Sequence, residues 1–72
     1  MTLFEAKECV EYRIEAVKLD DEELLSFLFS LGCYKGEPIT VITHRKKTCI
    51  VAIKDGRYSI DAPLARAIQI SE

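Results

Sequence analysis

Seventy-two residues can enclose one hydrophobic core and no more. A chain near this length leaves about 40% of its unfolded surface exposed even when folded, so two cores would leave each half too little burial to offset chain entropy. The expectation is a single domain spanning residues 1–72. Cysteine does not relieve the constraint, because Cys9, Cys33 and Cys49 form an odd and widely spaced set, unlike the disulfide frameworks of small secreted folds. Stability therefore has to come from burying the apolar 49% of the chain.

Period-two alternation shows where that burial happens. Tyr12, Ile14 and Ala16 alternate with Arg13, Glu15 and Val17, which predicts a first strand with one face inward. Pro38 to Thr43, Cys49 to Lys54, Arg57 to Asp61 and Ala67 to Ser71 read as four more. The connections between them are short. His44-Arg45-Lys46-Lys47 forms a basic hairpin tip, Asp55-Gly56 fits a tight mirror-image turn, and Pro63 with Leu64-Ala65 suits one helical turn before the last strand. The segment Met1 to Glu11 has Leu3, Phe4 and Val10 among charges without a clean period, and is expected to cover one end of the fold irregularly.

One helix interrupts the strands. Asp20-Asp21-Glu22-Glu23 places acidic side chains where a helix has free amides, with Asp20 as cap and Glu23 reaching back, so a helix is expected from Asp21 to Leu31. Gly32 then ends it through a left-handed backbone, and Tyr34-Lys35-Gly36-Glu37 reverses the chain with Gly36 at the third position of a turn. Five short strands in a single-core chain protect their edges best by curling into a barrel. The expected fold is mostly β: a small five-stranded barrel with one α-helix between the first two strands and a short helical turn before the last.

The helix also carries the first candidate surface. At 100° per residue Leu24, Phe27, Leu28 and Leu31 form a stripe expected to face the core, while Leu25 and Phe29 fall on its flank. That apolar arc is wider than a covering helix needs. Leu25 and Phe29, with the neighbouring Tyr34 and Lys35, are therefore candidate partner-binding residues; the competing reading packs Leu25 and Phe29 under Leu3 or Phe4. Arg45, Lys46 and Lys47 are a second candidate contact, for an acidic or phosphate-bearing surface, against the plainer reading of a charged tip that discourages edge pairing. The same wide arc would allow a two-fold homodimer.

Other classes of function find little support in the residues. Cys33 and His44 are the weak metal candidates, but the Cys and His residues lack a paired spacing, and a buried small hydrophobe is the better account of Cys33. No nucleophile elbow, phosphate-cradling glycine loop or separated carboxylate pair is present, so the chain is expected to be non-enzymatic and to need no cofactor. A net charge of -2 and scattered Tyr12, Tyr34 and Tyr58 argue against a nucleic-acid-binding barrel. No run of about 18 apolar residues occurs, and Glu5, Glu8 and Glu11 stand where a secretory leader would be basic and apolar. A cytoplasmic location without membrane insertion is expected.

The stretch Leu28-Phe29-Ser30-Leu31-Gly32-Cys33-Tyr34-Lys35-Gly36-Glu37, followed by β-rich sequence and a closing Ala67-Ile68-Gln69-Ile70, resembles the ferrous iron transport protein A (FeoA) family, over about Leu3 to Ile70. A related barrel closes iron-dependent repressors of the DtxR kind. The resemblance implies that the barrel is SH3-like and that the chain is a cytosolic accessory of ferrous iron uptake that contacts the GTP-binding domain of the FeoB membrane transporter; a metal-binding or metal-sensing domain is the alternative. The chain departs from the family pattern in three places. Glu8-Cys9 replaces a frequent Pro-Gly pair, the helix lacks the family's basic residues, and His44 to Lys47 replaces a Gly-Pro loop.

Overall fold

In the computed structural model, which describes residues 1–72, the five alternating segments become strands β1 (Glu11–Val17), β2 (Pro38–His44), β3 (Thr48–Ile53), β4 (Gly56–Asp61) and β5 (Ile68–Ser71). Helix α1 (Glu22–Ser30) lies between β1 and β2, and a second helix, α2 (Ala62–Ala67), between β4 and β5. The strands form one antiparallel sheet in the order β4-β3-β2-β1-β5. In a flat sheet the outer strands would lie about 19 Å apart, yet the six residues of α2, about 9 Å of helix, join them directly. The sheet must therefore curl. Its outer strands are bridged by α2 rather than hydrogen-bonded to each other, and register shifts between Ile14 and Ala16 and between Val41 and Thr43 add the local twist that such curling needs.

Curling turns the alternating apolar faces onto one another. Tyr12, Ile14, Ile39, Val41, Cys49, Val51, Ile53, Ile60, Ile68 and Ile70 are all buried in one cluster, and no buried polar side chain lacks a partner. The N-terminal segment closes the open side, as its sequence suggests. A single 3-10 turn, Leu3–Glu5, inserts the fully buried Leu3, and its start is fastened to β5 by Ile70 N–H donating to the Met1 carbonyl at 2.9 Å.

Three local expectations are corrected. The helix cap is Asp21, not Asp20: its carboxylate accepts from the amides of Glu23 and Leu24 at 3.0 and 3.2 Å, so Glu23 supplies an amide to the cap instead of a returning side chain. The β3–β4 turn is Lys54-Asp55, one residue earlier than Asp55-Gly56, since Ile53 pairs with Gly56. Lys54 takes the left-handed backbone at φ 52°, and Gly56 has another reason to be glycine, because the Tyr58 ring and hydroxyl occupy the space a Cβ would need. The third correction concerns burial. Of the four helix-stripe residues expected in the core only Leu28 is buried; Leu31 is partly covered, while Leu24 and Phe27 are 37% and 53% exposed. The helix touches the curled sheet through its last turn and stands away from it elsewhere.

Candidate functional site

How α1 ends determines what lies beside it. Gly32 adopts φ 97°, and Cys33 N–H returns to the Leu28 carbonyl at 2.9 Å, a helix stop that turns Cys33 inward next to Leu28. The following turn, with Gly36 at φ 92°, is stitched to β1: Gly36 N–H donates to the Ile14 carbonyl at 2.8 Å, Ile14 N–H to the Glu37 carbonyl at 2.9 Å, and the Arg13 guanidinium to the Gly36 carbonyl at 2.9 Å. Because the helix is held only at this end, a groove of about 330 Å³ remains between them. Ala16 and Val17 of β1 form one wall, Leu25, Ser26 and Phe29 of α1 the other, and Cys33, Tyr34 and Lys35 close the end.

Four of the residues singled out from sequence, Leu25, Phe29, Tyr34 and Lys35, thus share one groove. Phe29 is 54% exposed, and its ring lies 4.6 Å from that of Tyr34 at a tilt of 50°, a favourable aromatic contact. The alternative packing of Phe29 beneath Phe4 does not occur, since Phe4 packs against His44 with ring centres 4.6 Å apart at a tilt of 59° and lies under the Arg66 guanidinium. Lys35 is the one charged side chain of the lining.

Sequence reasoning did not point to Lys54, which braces this end of the groove. Its methylenes cross Gly32 so closely that a Cβ there would come within 2.9 Å of them. Its ammonium lies 5.3 Å from the centre of the Tyr34 ring and 2.7 Å from the Glu37 carboxylate. The Lys54 hydrogen bond, then the Tyr34 hydroxyl, hold the Glu37 carboxyl below the usual carboxylate range; Glu37, then Tyr34, push the Lys54 ammonium up in return. Nothing in the residue pattern marks a lysine in a β-turn as the partner of a glycine 22 positions earlier. Ala16, Val17 and Ser26 were also missed as lining, because the irregular pairing after Ile14 is not visible in the alternation.

The other candidates lie elsewhere. Arg45, Lys46 and Lys47 are exposed at the β2–β3 tip and take no part in the groove or in the single ion pair. His44 is a clasp for the N-terminal segment: its ring nitrogens lie 2.6 Å from the Phe4 carbonyl and 3.1 Å from the Arg45 carbonyl, and its amide donates to Glu8 at 2.6 Å. Cys33 is buried at the floor of the groove, where desolvation pushes its thiol up to about 11. The two weak metal candidates are therefore not brought together, and no three His, Cys, Asp or Glu side chains are grouped to hold an ion. Tyr12 is buried, with its hydroxyl accepting from Lys7 N–H at 3.1 Å, so the tyrosines form no stacking platform beside the basic tip.

A curled five-stranded antiparallel sheet with a helix between its first two strands and a short helix before its last is an SH3-like fold, and here it presents an apolar groove rather than a polar cleft. Residues 1–72 match the FeoA domain. The chain belongs to the FeoA family, which is associated with ferrous iron transport. Among solved structures it is similar to iron(II) transport protein A from Clostridium thermocellum (TM-score 0.89, 20% identity, 99% of this chain and 44% of that one). It is also similar to Stenotrophomonas maltophilia FeoA complexed with zinc, described as a prokaryotic SH3 domain protein (TM-score 0.86, 20% identity, 99% and 89%). A manganese-dependent transcriptional repressor shares the fold (TM-score 0.88, 19% identity), and there the chain spans 99% of itself but 40% of the repressor. No curated protein matches the sequence. No helix is long and apolar enough to cross a membrane.

Proposed function

We propose that this chain is a non-catalytic, cytoplasmic accessory of ferrous iron uptake that docks its α1–β1 groove onto the GTP-binding domain of a FeoB-type transporter. The observation that carries this reading is the groove itself: a concave apolar surface rimmed by the half-exposed Phe29, with Lys35 as its single charge. Apolar grooves with a bulky aromatic anchor and a polar rim are where small domains gain binding energy from a partner. Family membership supplies the process, ferrous iron transport, and the Stenotrophomonas relative is described as a candidate activating factor for that transport. Lys54 and Glu37 contribute by holding Tyr34 in place before the partner arrives, which reduces the ordering cost of binding.

The test is capture of the transporter's cytosolic domain by the purified chain, in nucleotide-free, GDP-bound and GTP-bound states, with ferrous iron uptake in cells as the second readout. Phe29→Ala should weaken capture by tenfold or more, as for an interface anchor worth about 1–2 kcal/mol or more. Changing Arg45, Lys46 and Lys47 together to Ser should weaken it less. Absence of capture in every nucleotide state, together with normal uptake by the Phe29→Ala strain, would refute the reading.

A further inference from the structure

The groove-facing side of α1 has a charge order that suits a second copy of itself. Glu22, Leu25, Ser26 and Phe29 fall at i, i+3, i+4 and i+7, which places them on one stripe of the helix. Lys35 follows at the far end of the same groove. The stripe thus runs from acidic, through apolar with a small residue at its centre, to basic. Glu22 and Lys35 are both exposed and neither has an ion-pair partner within the chain. Asp20 and Glu23 deepen the acidic end.

We propose that two copies pair across this face about a two-fold axis, with their α1 helices antiparallel. A two-fold contact uses the same patch twice, so a stripe acidic at one end and basic at the other matches itself when reversed. Glu22 of each copy then meets Lys35 of the other, Phe29 of each seats beside Leu25 of the other, and Ser26 at the centre lets the helices approach. A like-charged or uniformly apolar stripe would have no such preference for a reversed copy. Phe29 is about half exposed while Ala16, Val17, Leu25 and Tyr34 are already partly covered, so the apolar surface on offer falls well short of the roughly 800 Å² per partner that stable complexes bury. The pair is consequently weak, with a Kd of roughly 0.1–1 mM at low salt. Pairing covers the groove assigned above to the transporter, so self-association and docking compete; that consequence rests on the docking reading, whereas the pairing itself does not.

Sedimentation velocity on the full chain, from about 20 µM to about 1 mM at low and high salt, tests the pairing with no transporter present, so the two readings fail separately. The expected result is a concentration-dependent shift from monomer toward dimer that weakens as salt rises. Glu22→Lys and Lys35→Glu, both surface changes, should each reduce association roughly tenfold, since the reversed contact is counted twice in a two-fold pair. An equimolar mixture of the two variants should recover wild-type association, because every reversed charge again meets its opposite. A chain that stays monomeric throughout, variants that associate as the wild type does, or a mixture no stronger than its components would each overturn the proposal.

Discussion

Replacing Leu28 by Ala should melt α1 while leaving the sheet folded. Leu28 is the helix's single buried side chain, and core Leu→Ala changes cost about 2–5 kcal/mol. What else holds the helix is small. Nine residues fall short of the roughly 12–15 at which isolated helices become even marginal, and the Asp21 cap adds about 1 kcal/mol. Burial of Leu28, worth about 1.5–3 kcal/mol, is thus comparable with the whole margin by which α1 is ordered. The loss in global stability is capped at that margin, because the variant can release the helix without opening the sheet. Amide hydrogen exchange is the assay. In the wild type α1 should already exchange faster than β3, and in Leu28→Ala its protection should fall roughly 30- to 100-fold while β3 stays protected. Phe27→Ala, on the exposed side, should change stability by no more than about 0.5 kcal/mol. If α1 and β3 exchange in step in both proteins, the helix is docked along its length and the single-anchor account is wrong.

Other expected outcomes follow from the brace and the thiols. Gly32→Ala forces an alanine to φ 97° and displaces the Lys54 side chain, so it should cost about 2 kcal/mol and lower Tm by about 10 °C in thermal denaturation. Lys54→Met should return the Glu37 carboxyl toward the ordinary range, read by NMR titration of its side-chain carbon. In the wild type the contribution of Glu37 is present above the unfolded carboxylate pKa and is lost as pH falls through its depressed folded value. Cys33 acts at the alkaline end: its folded thiol titrates near 11 against 9.0 for the free group. The stability it confers is complete below about 9 and is lost as pH rises toward about 11, by at most about 3 kcal/mol, and Cys33→Ala should reduce the alkaline slope of stability in chemical denaturation, to which the raised Cys49 thiol and Lys54 ammonium also contribute. A thiol reagent should modify the exposed Cys9 at once and the buried Cys33 and Cys49 only on opening.

Much of the fold was legible because alternation and capping act locally. The five strands, the helix between the first two, the stop at Gly32 and the turn at Gly36 each follow from backbone requirements within a few residues. The errors arise where a distant part of the chain decides. Leu24 and Phe27 share the apolar side of α1 with Leu28, and periodicity cannot tell that the curled sheet covers one helical turn rather than three. Gly56 looks like a turn residue, yet what excludes a side chain there is Tyr58, and the turn moves to Lys54. The site shows the same division. Leu25, Phe29, Tyr34 and Lys35 stood out as surplus apolar or exposed residues near one helix end, whereas Ala16 and Val17 join them only because of how β1 pairs.

The most direct measurement is chemical-shift mapping of the isotope-labelled chain titrated with the transporter's cytosolic GTP-binding domain. A docking groove predicts perturbed signals at Ala16, Val17, Leu25, Ser26, Phe29, Tyr34 and Lys35, with β4 unchanged. Perturbations centred on Arg45, Lys46 and Lys47, or none at saturating partner, would contradict it.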